Sequence, residues 1–304
     1  MRSWSISALA LIAMLPASCF ACACGCGVFS VGTGALVADG ARQVVFLEYG
    51  YVDQDRNWSG TASAPAAGNG DKRLSTAFYT LGAQFSLGPD WNLGVTMPYL
   101  DRSLSSSTDG GPVQTVHHDG WGDARVSAKY TGFSADRSSG IEAGLKLPTG
   151  AYVTAGFDRD TELGTGTTDL LLGAYHLANF GSEAQWTGFA RGQLSYALAS
   201  SAGYRPGNEA DAVLGISYAG WNIGRRSTLV PVLQLIAADR GHDRGVQAEP
   251  ANTGYGKLLF APGIEWDSGD FKLYADLEYA LYQDVDGEQL VAERQYKAVI
   301  SYRF

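Results

Sequence analysis

Residues 76–87 read Thr-Ala-Phe-Tyr-Thr-Leu-Gly-Ala-Gln-Phe-Ser-Leu, and the period of that stretch decides the fold. Ala77, Tyr79, Leu81, Ala83, Phe85 and Leu87 share one parity; Thr76, Phe78, Thr80, Gly82, Gln84 and Ser86 share the other. Successive side chains of a strand point to opposite faces, so the stretch makes one oily face and one mixed face. The alternation returns at Phe271, Leu273, Ala275, Leu277, Tyr279 and Leu281, set against Lys272, Tyr274, Asp276 and Glu278. It closes the chain at Ala298, Ile300, Tyr302 and Phe304, set against Lys297, Ser301 and Arg303. Weaker copies begin near Arg42, Trp91, Trp121, Gly140, Thr168, Trp186, Ala210, Thr228 and Lys257. Together they predict twelve strands of roughly 9–14 residues, long enough to cross a bilayer while tilted.

The connections choose between a sandwich and a barrel. Long gaps (Asp53–Lys72, Asp101–Asp119, Pro148–Thr167, Ser200–Glu209, Ala238–Gly256, Gln283–Glu293) alternate with short ones (Gly88–Asp90, Phe133–Ser139, Asn179–Ala184, Asn222–Arg226, Asp267–Asp270). Long outer loops and tight periplasmic turns are the pattern of an outer-membrane barrel, and an even strand number leaves both ends in the periplasm. The expected fold is therefore all-β, an antiparallel transmembrane β-barrel of twelve strands over residues 41–304, located in a bacterial outer membrane. A net charge of −9 argues against a nucleic-acid partner. The absence of any apolar run of about 20 residues argues against membrane helices.

Charge parity supports the barrel. Glu48, Arg125, Lys129, Glu142, Lys146, Arg191, Asp276, Glu278 and Lys297 all fall on the inward parity and are the candidate lumen lining, with Lys272 and Arg303 in phase. A charge facing lipid at the midplane costs about 2–4 kcal/mol, so the shared parity carries information. The ions come in both signs, which fits a salt-bridged filling as well as a polar path. Phe85, Trp91, Tyr130, Trp186, Trp266, Phe271 and Tyr302 stand near strand ends, where interfacial girdles form. The terminal Phe304 is the expected signal for the barrel-insertion machinery; outer-membrane lipid and lipopolysaccharide are the other expected partners.

The first residues read as an export signal. Arg2 precedes an apolar stretch, Ile6 to Leu15, which Pro16 ends, and cleavage after Ala21 or after Ala23 fits the small residues there. Residues 1–21 would leave, and 22–40 would form a periplasmic segment. Cys22, Cys24 and Cys26 are too closely spaced for relaxed disulfides with one another. They could bind a soft metal or a periplasmic partner, or be a remnant of processing. On the alternative reading of the whole protein, the barrel is a non-transporting scaffold for that cluster.

Three motifs bear a family likeness: Gly120-Trp121-Gly122-Asp123, Lys146-Leu147-Pro148-Thr149-Gly150, and Gly164-Thr165-Gly166 leading to Asp169. In residues 120–180 the chain resembles the outer-membrane family labelled MetA-pathway of phenol degradation, regarded as transporter-like barrels. The resemblance implies a channel passing small, aromatic or apolar solutes, with no cofactor.

Catalysis has little support in the sequence. Of His117, His118, His176 and His242, three fall in outer loops, and His176 shares the lipid-facing parity of Leu170 and Leu172, with no serine placed beside it by sequence. The His117-His118 pair lacks further metal ligands at useful spacing. Residues 158–162, Asp-Arg-Asp-Thr-Glu, with Asp169 beyond, carry oxygen ligands for calcium but not the spacing of an EF-hand. A solvated acidic loop is the simpler reading, and no enzyme activity is expected. Intact-mass measurement of protein purified from outer membranes should show the chain shortened by the residues up to Ala21 or Ala23; an N-terminus still at Met1 would contradict the export signal.

Overall fold

The computed structural model describes residues 43–107 and 111–304. The export signal, the segment 22–40 and the Cys22, Cys24 and Cys26 cluster lie outside the described residues. The barrel wall starts with β1 (Val44–Gln54), β2 (Asp71–Ser86) and β3 (Trp91–Ser106). Strand β4 comes in two pieces, Gln114–Trp121 and Arg125–Tyr130, followed by β5 (Ser139–Lys146) and β6 (Thr167–Phe180). The second half holds β7 (Trp186–Ser200), β8 (Glu209–Tyr218), β9 (Ser227–Arg240) and β10 (Tyr255–Ser268). Strands β11 (Phe271–Val291) and β12 (Arg294–Arg303) complete the wall.

Each strand pairs antiparallel with its chain neighbours, and β12 pairs back onto β1 from Val44↔Arg303 to Val52↔Gln295. Gln43 and Phe304 exchange both backbone hydrogen bonds at the seam, 3.1 and 3.0 Å. The twelve-stranded closed barrel is the expected one.

Burial follows the parity read from the sequence. In β1, Val45 and Leu47 are each 40% exposed, whereas Val44, Phe46 and Glu48 are 1%, 7% and 4% exposed. Water is replaced by lipid on the first set, so their exposure is apolar contact rather than a defect. At the end with the short turns, Trp91 meets Tyr130 at 5.0 Å, Trp186 meets Tyr218 at 5.0 Å and Phe271 meets Tyr302 at 4.8 Å. These outward aromatic pairs form the girdle. Tyr99–Trp121 and Tyr49–Tyr79, both at 5.3 Å, stand further along the outward face.

Three connections at the loop end differ from expectation. Strand β11 runs on to Val291 through the residues expected as a loop, because its extension pairs with a small hairpin strand, Arg56–Gly60, inside the first long connection. Strands β3 and β4 also continue past the outward Tyr99–Trp121 pair, on polar cross-strand contacts such as Ser105 Oγ to Thr115 Oγ1 at 2.8 Å. Pairing there continues in polar residues, which the hydrophobic period alone does not mark.

The inside is partly a packed core. Phe46, Val232, Tyr274 and Val299 cluster with Phe189 and Val230, while Leu74, Leu104 and Leu290 cluster with Val116 and Phe157 towards the loop end. Inward rings lie flat on the wall: a Cβ at Gly82 would overlap the Phe46 ring, and one at Gly215 would overlap the Phe189 ring. Each glycine is the direct cross-strand partner of the ring above it. Gly215→Val therefore should lower barrel stability by about 1–3 kcal/mol, the usual range for overpacking. The check is the urea midpoint in vesicles; an unchanged midpoint would contradict the close contact.

Candidate functional site in the lumen and its loop end

The candidate lumen residues share the inward parity; eight divide between two opposite walls, and the ninth stands apart. On β1, β11 and β12 stand Glu48, Asp276, Glu278 and Lys297, all buried. Lys297 Nζ donates to Glu278 Oε1 at 2.9 Å, and Asp276 and Glu48 add two more carboxylates around the ammonium. Tyr274 Oη donates to Asp276 Oδ2 at 2.6 Å and accepts from Gln234 Nε2 at 2.7 Å. Lys272 joins Glu265 at 3.0 Å and Asp267 at 3.3 Å, and Arg303 reaches Asp267 at 3.4 Å.

Across the barrel, on β4, β5 and β7, stand Arg125, Lys129, Glu142 and Arg191. Arg191 Nη2 pairs with Glu142 Oε2 at 3.2 Å, and Lys129 Nζ lies 5.6 Å from the Tyr175 ring centre. Arg125 is exposed to the lumen, and Asp211 of β8 lies within electrostatic reach of Arg125 and Arg191. The signs are thus biased rather than separated: the first wall carries five carboxylates (Glu48, Glu265, Asp267, Asp276, Glu278) with three cations (Lys272, Lys297, Arg303), the facing wall three cations with Glu142 and Asp211. Periodicity showed that these ions share the inside; only the closed ring shows which face each other.

The ninth residue, Lys146, belongs to a different cluster, and there the three motifs meet. Its Nζ sits 2.5 Å from Asp169 Oδ2, 3.6 Å from Asp123 Oδ2 and 2.6 Å from Thr165 Oγ1. Asp123 accepts from Gly150 N at 3.0 Å through Oδ1, and from Thr165 N and Thr165 Oγ1 at 2.8 Å through Oδ2. Thr149 Oγ1 donates to Gly122 O at 2.9 Å and accepts from Ala124 N at 2.8 Å. Gly122, Gly150 and Gly164 touch backbone to backbone, with no room for a Cβ at Gly150 or Gly164. The motif residues therefore staple both ends of the 147–166 loop to the break in β4.

That loop folds inward. Arg102, buried on the inner face of β3, donates through Nη1 to Thr161 O and, at 2.8 Å, to Glu162 O, while its Nε donates to Thr76 Oγ1 at 3.0 Å. Phe157 packs on the inward Leu74–Leu104–Leu290 cluster. Arg159, Thr161 and Glu162 are buried, so the segment expected as a solvated acidic loop is an internal one. Asp169 is held by Lys146 instead of joining that loop. Among the described residues no group of three or more His, Cys, Asp or Glu is placed to hold a metal ion.

Between this loop and residues 241–254 lies a cleft of about 270 Å³. Burial pushes the Asp158, Glu162 and Glu249 carboxyls up from their ordinary range, and the Asp158 charge adds to the effect on Glu249. Asp243, at the cleft margin, accepts from the Tyr204 hydroxyl, from Gly207 N at 2.7 Å and from Arg240 Nη2 at 2.6 Å.

The histidines divide by face. His176 points outward, and Ser139 Oγ of the neighbouring strand lies 2.8 Å from its Nδ1, a pairing across 37 residues that no local motif signals. Among the described residues His176 contacts no carboxylate. His117 also faces outward, with Ser103 Oγ at 3.1 Å, whereas His118 turns inward beside Phe157.

The closed antiparallel barrel has a counterpart among solved structures. The COG4313 outer-membrane channel from Pseudomonas putida F1 matches with a TM-score of 0.63 and 16% identity, covering 87% of this chain and 96% of that one. At this identity the likeness establishes a shared fold, that of an outer-membrane β-barrel. The β domain of the Bordetella autotransporter BrkA aligns at 0.49 with 12% identity over 86% of this chain and 100% of that one. The Pseudomonas putida toluene transporter TodX aligns at 0.43 with 12% identity over 90% and 93%. No family model and no curated protein matches the chain, so the expected MetA-pathway label finds no match.

Because Asp123 bonds both ends of the inward loop, Asp123→Ala should release it, at a cost of about 3 kcal/mol for breaking a buried charged contact. Limited proteolysis of the folded barrel should then cut between residues 147 and 166; an uncut loop would contradict the staple.

Proposed function

We propose that the protein is an outer-membrane channel that lets small solutes, aromatic ones among them, cross through its lumen. The observation that carries this reading is a closed wall with apolar residues outside and opposed ionic walls inside. Lipid cannot satisfy peptide groups, so such a wall belongs in a membrane, and its lumen offers the polar route through it. The fold shared with an outer-membrane channel supports the reading.

In this orientation the short-turn end faces the periplasm and the inward loop closes the outer mouth. Phe304 stacks on Tyr302 at 6.0 Å on the lipid face, where the insertion machinery would meet it. The function needs no covalent chemistry. Solute movement rests on diffusion past Arg125, Lys129, Glu142 and Arg191, with the buried ions of the facing wall shaping the field.

Purified protein in planar bilayers should conduct, and liposomes containing it should swell in permeant solutes. Arg125→Glu should move the reversal potential in a salt gradient towards cation preference, because the exposed lumen charge changes sign. No conductance together with no swelling would sink the channel reading.

A further inference from the structure

The cleft at the loop end is slightly below the ~300–1,000 Å³ of most small-molecule sites, a size suited to a monoaromatic solute. Its walls carry both signs of charge. Asp158, Glu162 and Glu249 bring carboxyls, Arg159 brings a guanidinium, and Tyr152 and Phe157 bring rings. Asp160 lines it too, while Asp243 is already engaged by three donors.

Two of these side chains are buried with donors or acceptors left over. Arg159 is 7% exposed, and its Nε and Nη1 meet no acceptor. Its remaining nitrogen, Nη2, donates to Thr165 O at 2.6 Å, and the guanidinium sits 5.1 Å from the Tyr152 ring centre and 4.5 Å from that of Tyr204. Glu162 is likewise 7% exposed; its Oε1 accepts from Thr154 N, and its Oε2 has no donor. Buried ions with unmet hydrogen-bonding capacity are costly. The unmet atoms are enclosed, so a ligand offering an acceptor to the first and a donor to the second completes both as each side chain turns its free edge to the cleft.

We propose that this cleft binds a small zwitterion, an α-amino acid with an aromatic side chain, carboxylate to Arg159 and ammonium to Glu162. A simple anion would meet the Asp158, Glu162 and Glu249 carboxyls beside Arg159. A simple amine would leave the Arg159 donors unmet. The raised carboxyls of Asp158 and Glu249 gain from an arriving ammonium, and the side chain lies along Tyr152 and Phe157. The lumen below also carries both signs, with an excess of carboxylates on one wall and of cations on the other, so a dipolar solute that leaves the cleft meets a field that orients it as it descends. As the capture step of a channel the proposal rests on the preceding reading, but binding is measurable without passage.

The test is calorimetric titration of the detergent-purified full chain with three probes of one size: L-phenylalanine, hydrocinnamate and phenethylamine. Phenylalanine should bind at least about tenfold more tightly than either single-charge analogue, the effect of one lost charged contact. Arg159→Gln should abolish the preference over phenethylamine, and Glu162→Gln the preference over hydrocinnamate. The heat-dependent gel mobility of folded barrels shows whether each variant has folded, and the near-isosteric Glu162→Gln keeps the test decisive if the arginine variant has not. Equal affinity for all three probes, phenethylamine as tight as phenylalanine, or no binding in the millimolar range would each overturn the proposal. Binding with neither conductance nor swelling would retain the site and remove the channel reading; conductance without binding would do the reverse.

Discussion

A peptide group in hydrocarbon has no solvent to bond with, and every other feature of this molecule depends on how that demand is met. Each wall strand bonds two neighbours, and the seam between β1 and β12 leaves no open rim. Once the wall is closed, parity acquires a physical meaning that it lacks in an open sheet. One face must be oily, and the other is free to hold whatever the enclosed space tolerates. Leu47 and Glu48 are adjacent in the chain yet experience different solvents.

The enclosed space is put to three uses at different places. Apolar rings on glycines fill part of it as an ordinary core. Ions occupy facing walls, with Lys297 affordable inside only because three carboxylates surround it. Near the loop end the chain itself turns inward, held by Arg102 from the wall and by Asp123 and Lys146 at the loop's own base. The glycines of the three motifs are explained by this last feature, since three backbones meet there without side chains between them. Their role is mechanical.

Much of the fold was legible in the sequence because a period of two is a local property. The strands, their number, the inward parity of Glu48, Arg125 and Lys297 and the girdle at Trp91, Trp186 and Tyr302 all follow from spacing along the chain. The site was much less legible. Arg102 reaches Thr161 across 59 residues and Ser139 reaches His176 across 37, and no neighbouring residue announces either contact. The extension of β11 was hidden for a related reason: Val285 to Val291 finds its partners in Arg56–Gly60, far away in the chain. The bias of charge by wall is a property of the ring, visible only when strands are counted around it.

The same alternation has a consequence during export. Mean hydropathy is only −0.08, because each oily residue of a strand is followed by one suited to the interior. No wall strand therefore offers the sustained greasy stretch that would lodge it in the inner membrane during secretion. On the outer-membrane reading, the chain would cross one bilayer as a polar polypeptide and become hydrophobic on its outside only when it curls up in the next.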